Sequence, residues 1–509
     1  MLAKVPGGAV LGIDGYPVCV EVDVSAGLPS FEVVGLPDAA IREARERVRA
    51  ALRNSGFEFP LRRITVNLAP AMIRKEGACF DLAIALGILA ATGEISPSAV
   101  EDCMFAGELS LDGQVRGTSG VLSIALAAKS AGFTTMMVAN ENAGEAALVD
   151  GIDVYGVSTL AEAVGHLSGA LRMNKAPATK GFPDATPETG HDLDFEDVLG
   201  QEHARRALEV AAAGGHNVLM VGPPGAGKTM LARRMPSILP PLTWEEALEV
   251  TRVYSAAGLL PTGSSVVSTR PFRNPHHTIS APGLIGGGRV PRPGEISLAH
   301  RGVLFLDEIP EFAGHALEAL RQPLEDGFVT VSRAGGMATF PARFMLVAAM
   351  NPCPCGRGGA HSGACTCTPP TVRKYLARLS GPLLDRIDLH IHVRKVDVNE
   401  LEQGRSRETS AEIRERVMRA RRIQQARFAG LPVRTNAEMR PAEIRAFCRM
   451  SRDARTLLYT ACARLGLSAR AHARVLKVAR TIADLEGGDL VQDQHISEAV
   501  SYRAFSLRE

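Results

Sequence analysis

No stretch of this 509-residue chain is apolar for long enough to cross a bilayer. The best candidate, residues 82–92, falls well short of the ~20 apolar residues a spanning helix needs, and Met1-Leu2-Ala3-Lys4-Val5-Pro6-Gly7-Gly8 holds no sustained apolar segment. A membrane partner is not expected, and a cytoplasmic location is. Cysteine is also scarce: nine in so long a chain are too few for a disulfide scaffold, which leaves reduced thiols or a metal clip. A net charge of only +2 rules out a global basic field for nucleic acid. The charge is uneven, however, because residues 401–509 carry 21 Lys/Arg against 13 Asp/Glu. That local excess suits a solvated helical surface or a nucleic-acid groove, and composition does not choose between them.

The length predicts two to four domains. Residues 1–168 alternate β-rich runs such as Val18-Cys19-Val20-Glu21-Val22-Asp23-Val24 with helical stretches over 38–55 and 80–92, the pattern of an α+β domain. Residues 169–193 read as a linker, since 173–192 contain Pro177, Pro183 and Pro187 and no apolar periodicity. A core over 194–396 and a helical lid over 397–509 follow. In the lid, 411–428 is an Arg-rich helix, and 441–502 reads as three or four helices broken at Ser451, Gly466 and Gly487-Gly488. Ser468 is the expected N-cap of one of them, with Val475, Val478, Ile482 and Leu485 as its buried stripe and Arg470, Arg474 and Lys477 on another face.

Gly222-Pro223-Pro224-Gly225-Ala226-Gly227-Lys228-Thr229 follows the apolar run Asn217-Val218-Leu219-Met220-Val221 and precedes a helix-forming stretch. This is a phosphate loop. Its glycines let backbone N–H groups turn inward around a phosphate, Lys228 reaches the β/γ oxygens, and the Thr229 hydroxyl is placed to ligand Mg²⁺, so ATP is the expected ligand. Downstream, Gly302-Val303-Leu304-Phe305-Leu306 ends in Asp307-Glu308: Asp307 for Mg²⁺, and Glu308 to polarise the attacking water. Phe344-Met345-Leu346-Val347-Ala348-Ala349-Met350 then delivers Asn351, an amide to orient that water. Phosphate loop, acids and amide on three successive strands resemble an additional-strand P-loop ATPase of the AAA+ type.

In such proteins an arginine placed between the amide and the lid is presented to a neighbouring subunit. Arg386, in Gly381-Pro382-Leu383-Leu384-Asp385-Arg386-Ile387-Asp388, fits that place; the structural alternative is a pair with Asp385 or Asp388 in its own chain. Arg470, ahead of Arg474, is the candidate to meet the γ-phosphate across the domain cleft. Two insertions decorate the core. Residues 270–298 include Arg273, His276, His277, Arg289 and Arg292, and 328–341 read as a hairpin around Arg333-Ala334-Gly335-Gly336; both suit a phosphate backbone or a subunit contact. Cys353-Pro354-Cys355 and Cys365-Thr366-Cys367, separated by a loop with His361, offer four thiolates for a structural Zn²⁺, with free thiols as the alternative.

The strings Phe31-Glu32-Val33-Val34-Gly35-Leu36-Pro37-Asp38, Asn274-Pro275-His276-His277-Thr278, Leu379-Ser380-Gly381-Pro382-Leu383-Leu384-Asp385-Arg386 and Val478-Ala479-Arg480-Thr481-Ile482-Ala483-Asp484-Leu485, in this order, resemble the magnesium chelatase-like AAA+ proteins of the YifB/ComM type over almost the whole chain. The resemblance implies a hexameric, ATP-driven DNA motor that promotes branch migration in natural transformation. It also implies alternatives: a chelatase-type motor that remodels a protein, or an ATP-dependent protease. The N-terminal domain looks like the Lon protease domain, of ribosomal S5 domain 2-like fold. Cys79 stands at the nucleophile position in Lys75-Glu76-Gly77-Ala78-Cys79-Phe80, but Leu122 occupies the place of the catalytic lysine. A nucleophile without its base makes proteolysis unexpected.

Overall fold

The computed structural model describes residues 1–72, 75, 77–178, 181–182, 193–261, 264–288, 291–333, 336–358, 365–396 and 408–503. Glu76, residues 183–192 of the expected linker, Arg289, the hairpin tip Ala334-Gly335 and His361 lie outside them.

Alternation builds the N-terminal domain. Along Asp14–Ser25, Val18, Val20, Val22 and Val24 are buried and their neighbours are not, as a period of two requires. This strand joins a seven-stranded mixed sheet in the order Ser30–Val34, Arg63–Ala69, Asp14–Ser25, Leu2–Leu11, Cys103–Ala106, Thr135–Ala139, Asp153–Val157. Helix Asp81–Thr92 is apolar on all sides and buried against the central strands, so it needs no amphipathic stripe. Helix Ala39–Asn54 has one: Ile41, Ala44, Val48, Ala51 and Leu52 face inward, and the Asp38 carboxylate accepts from Ile41 N at 2.9 Å as its cap.

Five parallel strands form the core sheet, in the order Phe272–Arg273, Val303–Leu306, Met345–Met350, Val218–Val221, Leu389–His392. The strand ending at Asn351 therefore lies between the strand that feeds the phosphate loop and the one that feeds Asp307 and Glu308. Helix Trp244–Ala257 ties this core to the N-terminal domain. Arg252 Nη2 donates to Asp14 Oδ1 at 2.6 Å, Gly120 N to Ser255 O at 3.0 Å, and the buried Glu145 carboxylate accepts from Ser255 Oγ and from Leu122 N at 2.7 Å.

The C-terminal helices are Ser410–Arg427, Pro441–Phe447, Arg452–Leu465, Ala469–Leu485 and Asp493–Ser501. Their expected punctuation is real: Ser451 and Ser468 cap two N-termini, and Gly466 and Gly487 take left-handed φ of 59° and 74°. They pack on the core. One apolar cluster runs without a break from Phe195 through Leu208 and Val218 to Val417, Ile482 and Tyr502, because the helices pack on Glu202–Gly214 and Lys228–Ile238. The start of the segment read as a linker is tied to the N-terminal domain. Ala176 N donates to Val154 O at 2.7 Å and Met173 N to His166 Nδ1 at 3.3 Å, since the edge strand Asp153–Val157 has backbone groups left to satisfy.

Candidate nucleotide site

The loop 222–229 leaves strand Val218–Val221 at its carboxyl end and opens helix Lys228–Ile238. Gly222 is required there, because a Cβ would sit 2.1 Å from Val393 O; Gly225 and Gly227 hold left-handed φ of 75° and 89°. Lys228 Nζ donates to Gly222 O at 2.7 Å, Pro223 O at 3.0 Å and Asn351 Oδ1 at 3.1 Å. Burial lowers its pKa, against the pull of Asp307 and Glu308. Pro224 and Ala226 complete the loop, and the buried Gln201 braces it, donating from Nε2 to Ala226 O at 3.2 Å and Arg394 O at 2.7 Å. Gln201 was not legible as a site residue: it lies outside every motif, and only folding carries it to the loop.

The Thr229 hydroxyl donates to Asp307 Oδ2 at 2.7 Å, and Glu308 N donates to Asp307 Oδ1 at 3.0 Å. A hydroxyl and a carboxylate converging at a helix N-terminus are hard oxygen donors, a set that fits Mg²⁺ held with a triphosphate. Glu308 has a left-handed φ of 51°, strained for a residue with a Cβ, and its side chain is 56% exposed, open to an incoming water. His277 of the first insertion stands over it, with Nδ1 4.0 Å from the carboxylate. The insertion thus approaches the acids at one edge while leaving Glu308 accessible, and its Arg273 is held by Glu295 at 2.6 and 2.7 Å instead of being free for phosphates.

The arginines are elsewhere. Asn217, at the amino end of the phosphate-loop strand, donates from Nδ2 to Arg386 O at 3.1 Å and from its backbone N to Asp388 Oδ2 at 3.1 Å. Arg386, Arg470 and Arg474 line one small cleft with Leu324, Glu325 and Asp385. Arg386 pairs with Glu325, not with Asp385 or Asp388, and donates to Pro382 O at 2.7 Å; its buried Nε has no partner among the described residues. Arg474 takes Asp388 instead. Burial opposes the Asp388 carboxylate, but Arg474 and His216 hold its pKa below the usual carboxylate range. Arg470 and Arg474, the candidates to meet a γ-phosphate across the domain cleft, sit at the opposite ends of the strands from the phosphate loop of their own chain. Lys477 is turned away as well, donating to Ala437 O at 2.7 Å.

Cys353, Cys355, Cys365 and Cys367 have their sulfurs within 4.8 Å of one another. Separations of 3.4 Å (353 to 355), 3.7 Å (353 to 365) and 3.6 Å (355 to 365) are close to the edge of about 3.8 Å expected when four sulfurs surround zinc at about 2.3 Å. Cys79, by contrast, is disfavoured as a nucleophile: burial, then the Asp81 charge, pushes its thiol up to about 12, and Leu122 is buried in helix Val121–Ser130.

A phosphate loop beside an acidic strand end, with an additional parallel strand between them, defines a P-loop ATPase core. The comparisons specify it further. The family described as magnesium chelatase, subunit ChlI, matches residues 194–401, with the subunit ChlI family over 20–142 and the subunit ChlI C-terminal family over 407–503. Competence protein ComM of Haemophilus influenzae is 46% identical over 507 residues, covering 99% of this chain and 97% of the relative. YifB of Escherichia coli is 45% identical over 501 residues, 97% and 96% of the two chains. The magnesium-chelatase 38 kDa subunit of Rhodobacter capsulatus is 29% identical over 177 residues, 31% of this chain and half of that one. The chain belongs to the YifB/ComM-type magnesium chelatase-like AAA+ proteins. Membership implies ATP and Mg²⁺ as ligands, ATPase activity and oligomerisation. No described helix is long and apolar enough to cross a membrane.

Proposed function

We propose that this protein is a cytoplasmic, hexameric DNA motor that hydrolyses ATP between adjacent subunits and acts as a branch migration helicase in recombination during natural transformation. The observation that carries the reading is the separation of charges within one chain. Strand Val218–Val221 spans about 13 Å, with lysine, acids and amide at one end and Arg386, Arg470 and Arg474 at the other. A γ-phosphate on this chain's loop lies a strand length from Arg386, Arg470 and Arg474 of the same chain, whereas a neighbour docked head to tail would bring its own within reach.

In this reading Thr229 and Asp307 would hold Mg²⁺, which would supply charge neutralisation at the triphosphate oxygens. Lys228 leaves its carbonyl partners for the β/γ oxygens, Asn351 and Glu308 align the water, and Glu308 takes its proton. Arg386 of the adjoining subunit stabilises the charge that develops on the phosphoryl group, and Arg470 reports its presence to the lid helices. DNA as the partner is supported by the 46% identity to a protein named for competence and by the basic C-terminal region. Its phosphates would be followed by the hairpin Phe328–Arg333/Gly336–Pro341, whose second arm rests on Gly12 of the N-terminal domain through Ala338 and Phe340. That domain takes the S5 domain 2-like, Lon-like fold in a non-proteolytic role. A structural zinc at the four thiols completes the reading.

ATPase rates with and without single-stranded or branched DNA test the proposal. Stimulation by DNA that fades with salt is expected, as is strand exchange on three- and four-stranded junctions that Lys228→Ala abolishes. A rate indifferent to DNA would favour the chelatase-type alternative, a motor that remodels a protein.

A further inference from the structure

The cysteine cluster stands against the back of the phosphate loop. Gly222 N donates to Met350 O at 3.2 Å, and the next residue, Asn351, accepts from Lys228. Two residues further on Cys353 is buried, with its sulfur 3.0 Å from Gly358 O at the other end of the turn 353–358. Gly356, with φ of 75°, presses on the loop so closely that a Cβ there would stand 2.6 Å from both Cγ and Cδ of Pro224. The second pair, Cys365 and Cys367, meets the first through sulfur. Thiols are weak hydrogen-bond donors and four thiolates repel one another, so neither state explains the convergence. A soft-ligand divalent ion at the centre does.

Taking the zinc reading above as its basis, we propose that the ion is a brace for nucleotide binding: zinc on Cys353, Cys355, Cys365 and Cys367 fixes the turn that backs Pro224 and holds Asn351 on Lys228. Without the metal, 353–358 loses its tie to 365–367, the wall behind Pro224 yields, and Asn351 is released from the lysine it orients. Nucleotide affinity then follows metal occupancy, although no sulfur touches the nucleotide. The cluster acts by positioning the loop.

The experiment uses the purified full-length protein, metal analysis, and equilibrium binding of a fluorescent non-hydrolysable ATP analogue, before and after a zinc chelator and again after zinc is restored. Stoichiometric zinc is expected in the untreated protein, with affinity falling at least roughly tenfold on stripping and recovering on re-addition. Cys367→Ser should reproduce the stripped state. Gly356→Ala should keep its zinc yet bind the analogue more weakly, because the added methyl displaces Pro224. Untreated protein without zinc that binds the analogue tightly would overturn both the zinc reading and the brace. Zinc-loaded protein whose stripped form binds equally well would overturn the brace alone. Should stripping unfold the chain, Gly356→Ala decides, since its four thiols are intact: unchanged affinity there overturns the brace.

Discussion

At the carboxyl ends of the core strands stand Lys228, Thr229, Asp307, Glu308 and Asn351; at the amino ends, a strand length away, stand Arg386, Arg470 and Arg474. The first group is bonded to itself through neutral carbonyls, one hydroxyl and one amide, and it leaves Glu308 open. The second is bonded to acids: Glu325 for Arg386 and Asp388 for Arg474. The difference separates a site built to receive an anion from one that stores its cations on local counter-ions. Exposed Glu325 is a partner Arg386 can exchange for phosphate, whereas buried Asp388 keeps Arg474 in place.

Substitutions sharpen that contrast. The largest effect is expected from Arg386→Ala: ATP turnover falls roughly a thousandfold while analogue binding is retained. Mixing it with wild type should poison activity out of proportion to its share, and turnover by wild type should rise with protein concentration. Full activity in the mutant, or in dilute single chains, would break the division between the two ends. Glu308→Gln should lower turnover by about a hundredfold or more with Lys228 and Thr229 still gripping the nucleotide, which steady-state rates set against binding would reveal. Arg474→Ala leaves Asp388 buried without its charge partner and should destabilise the fold by about 3–5 kcal/mol in urea denaturation. If it instead removes activity without cost to stability, Arg474 belongs with the exchangeable cations.

The smallest effect is a pH dependence. Burial, then Arg503, pushes His390 down to about 3. A histidine held neutral in the fold gives stability that is complete above its unfolded pKa near 6.5 and is lost as pH falls from there toward about 3. Between pH 7 and pH 5 the loss is about 2 kcal/mol from this side chain. His390→Gln should flatten the acid slope by one proton; a slope unchanged by it would place the acid sensitivity at His216 or His300, which burial also lowers.

Much of the site was legible because local chemistry writes it into short strings. Gly225 and Gly227 are glycines because the backbone there is left-handed, and the acids at 307 and 308 end an apolar run because buried strands deliver polar groups at their tips. The serine caps and glycine stops of the C-terminal helices were equally local. Gln201, the cover of His277 over Glu308 and the partner of Arg386 were not, since each joins segments tens of residues apart that share no spacing rule. The lid arginines show the limit best: helical periodicity put Arg470 and Arg474 on one face, but said nothing of which end of the sheet that face meets.

By itself the sequence determined which groups exist and which neighbours share a turn of backbone: a loop with the phosphate-binding pattern, two acids at the end of an apolar run, an arginine ahead of the C-terminal helices, and four cysteines in two pairs. Only the tertiary structure decided which of them share an end of the sheet. Parallel strands give a sheet two unlike ends, and packing the C-terminal helices on Glu202–Gly214 committed the arginines to the end away from the phosphate loop. The same folding brought the cysteine pairs together behind Pro224, a contact set by the close approach of Gly356 and by nothing in the spacing of the residues.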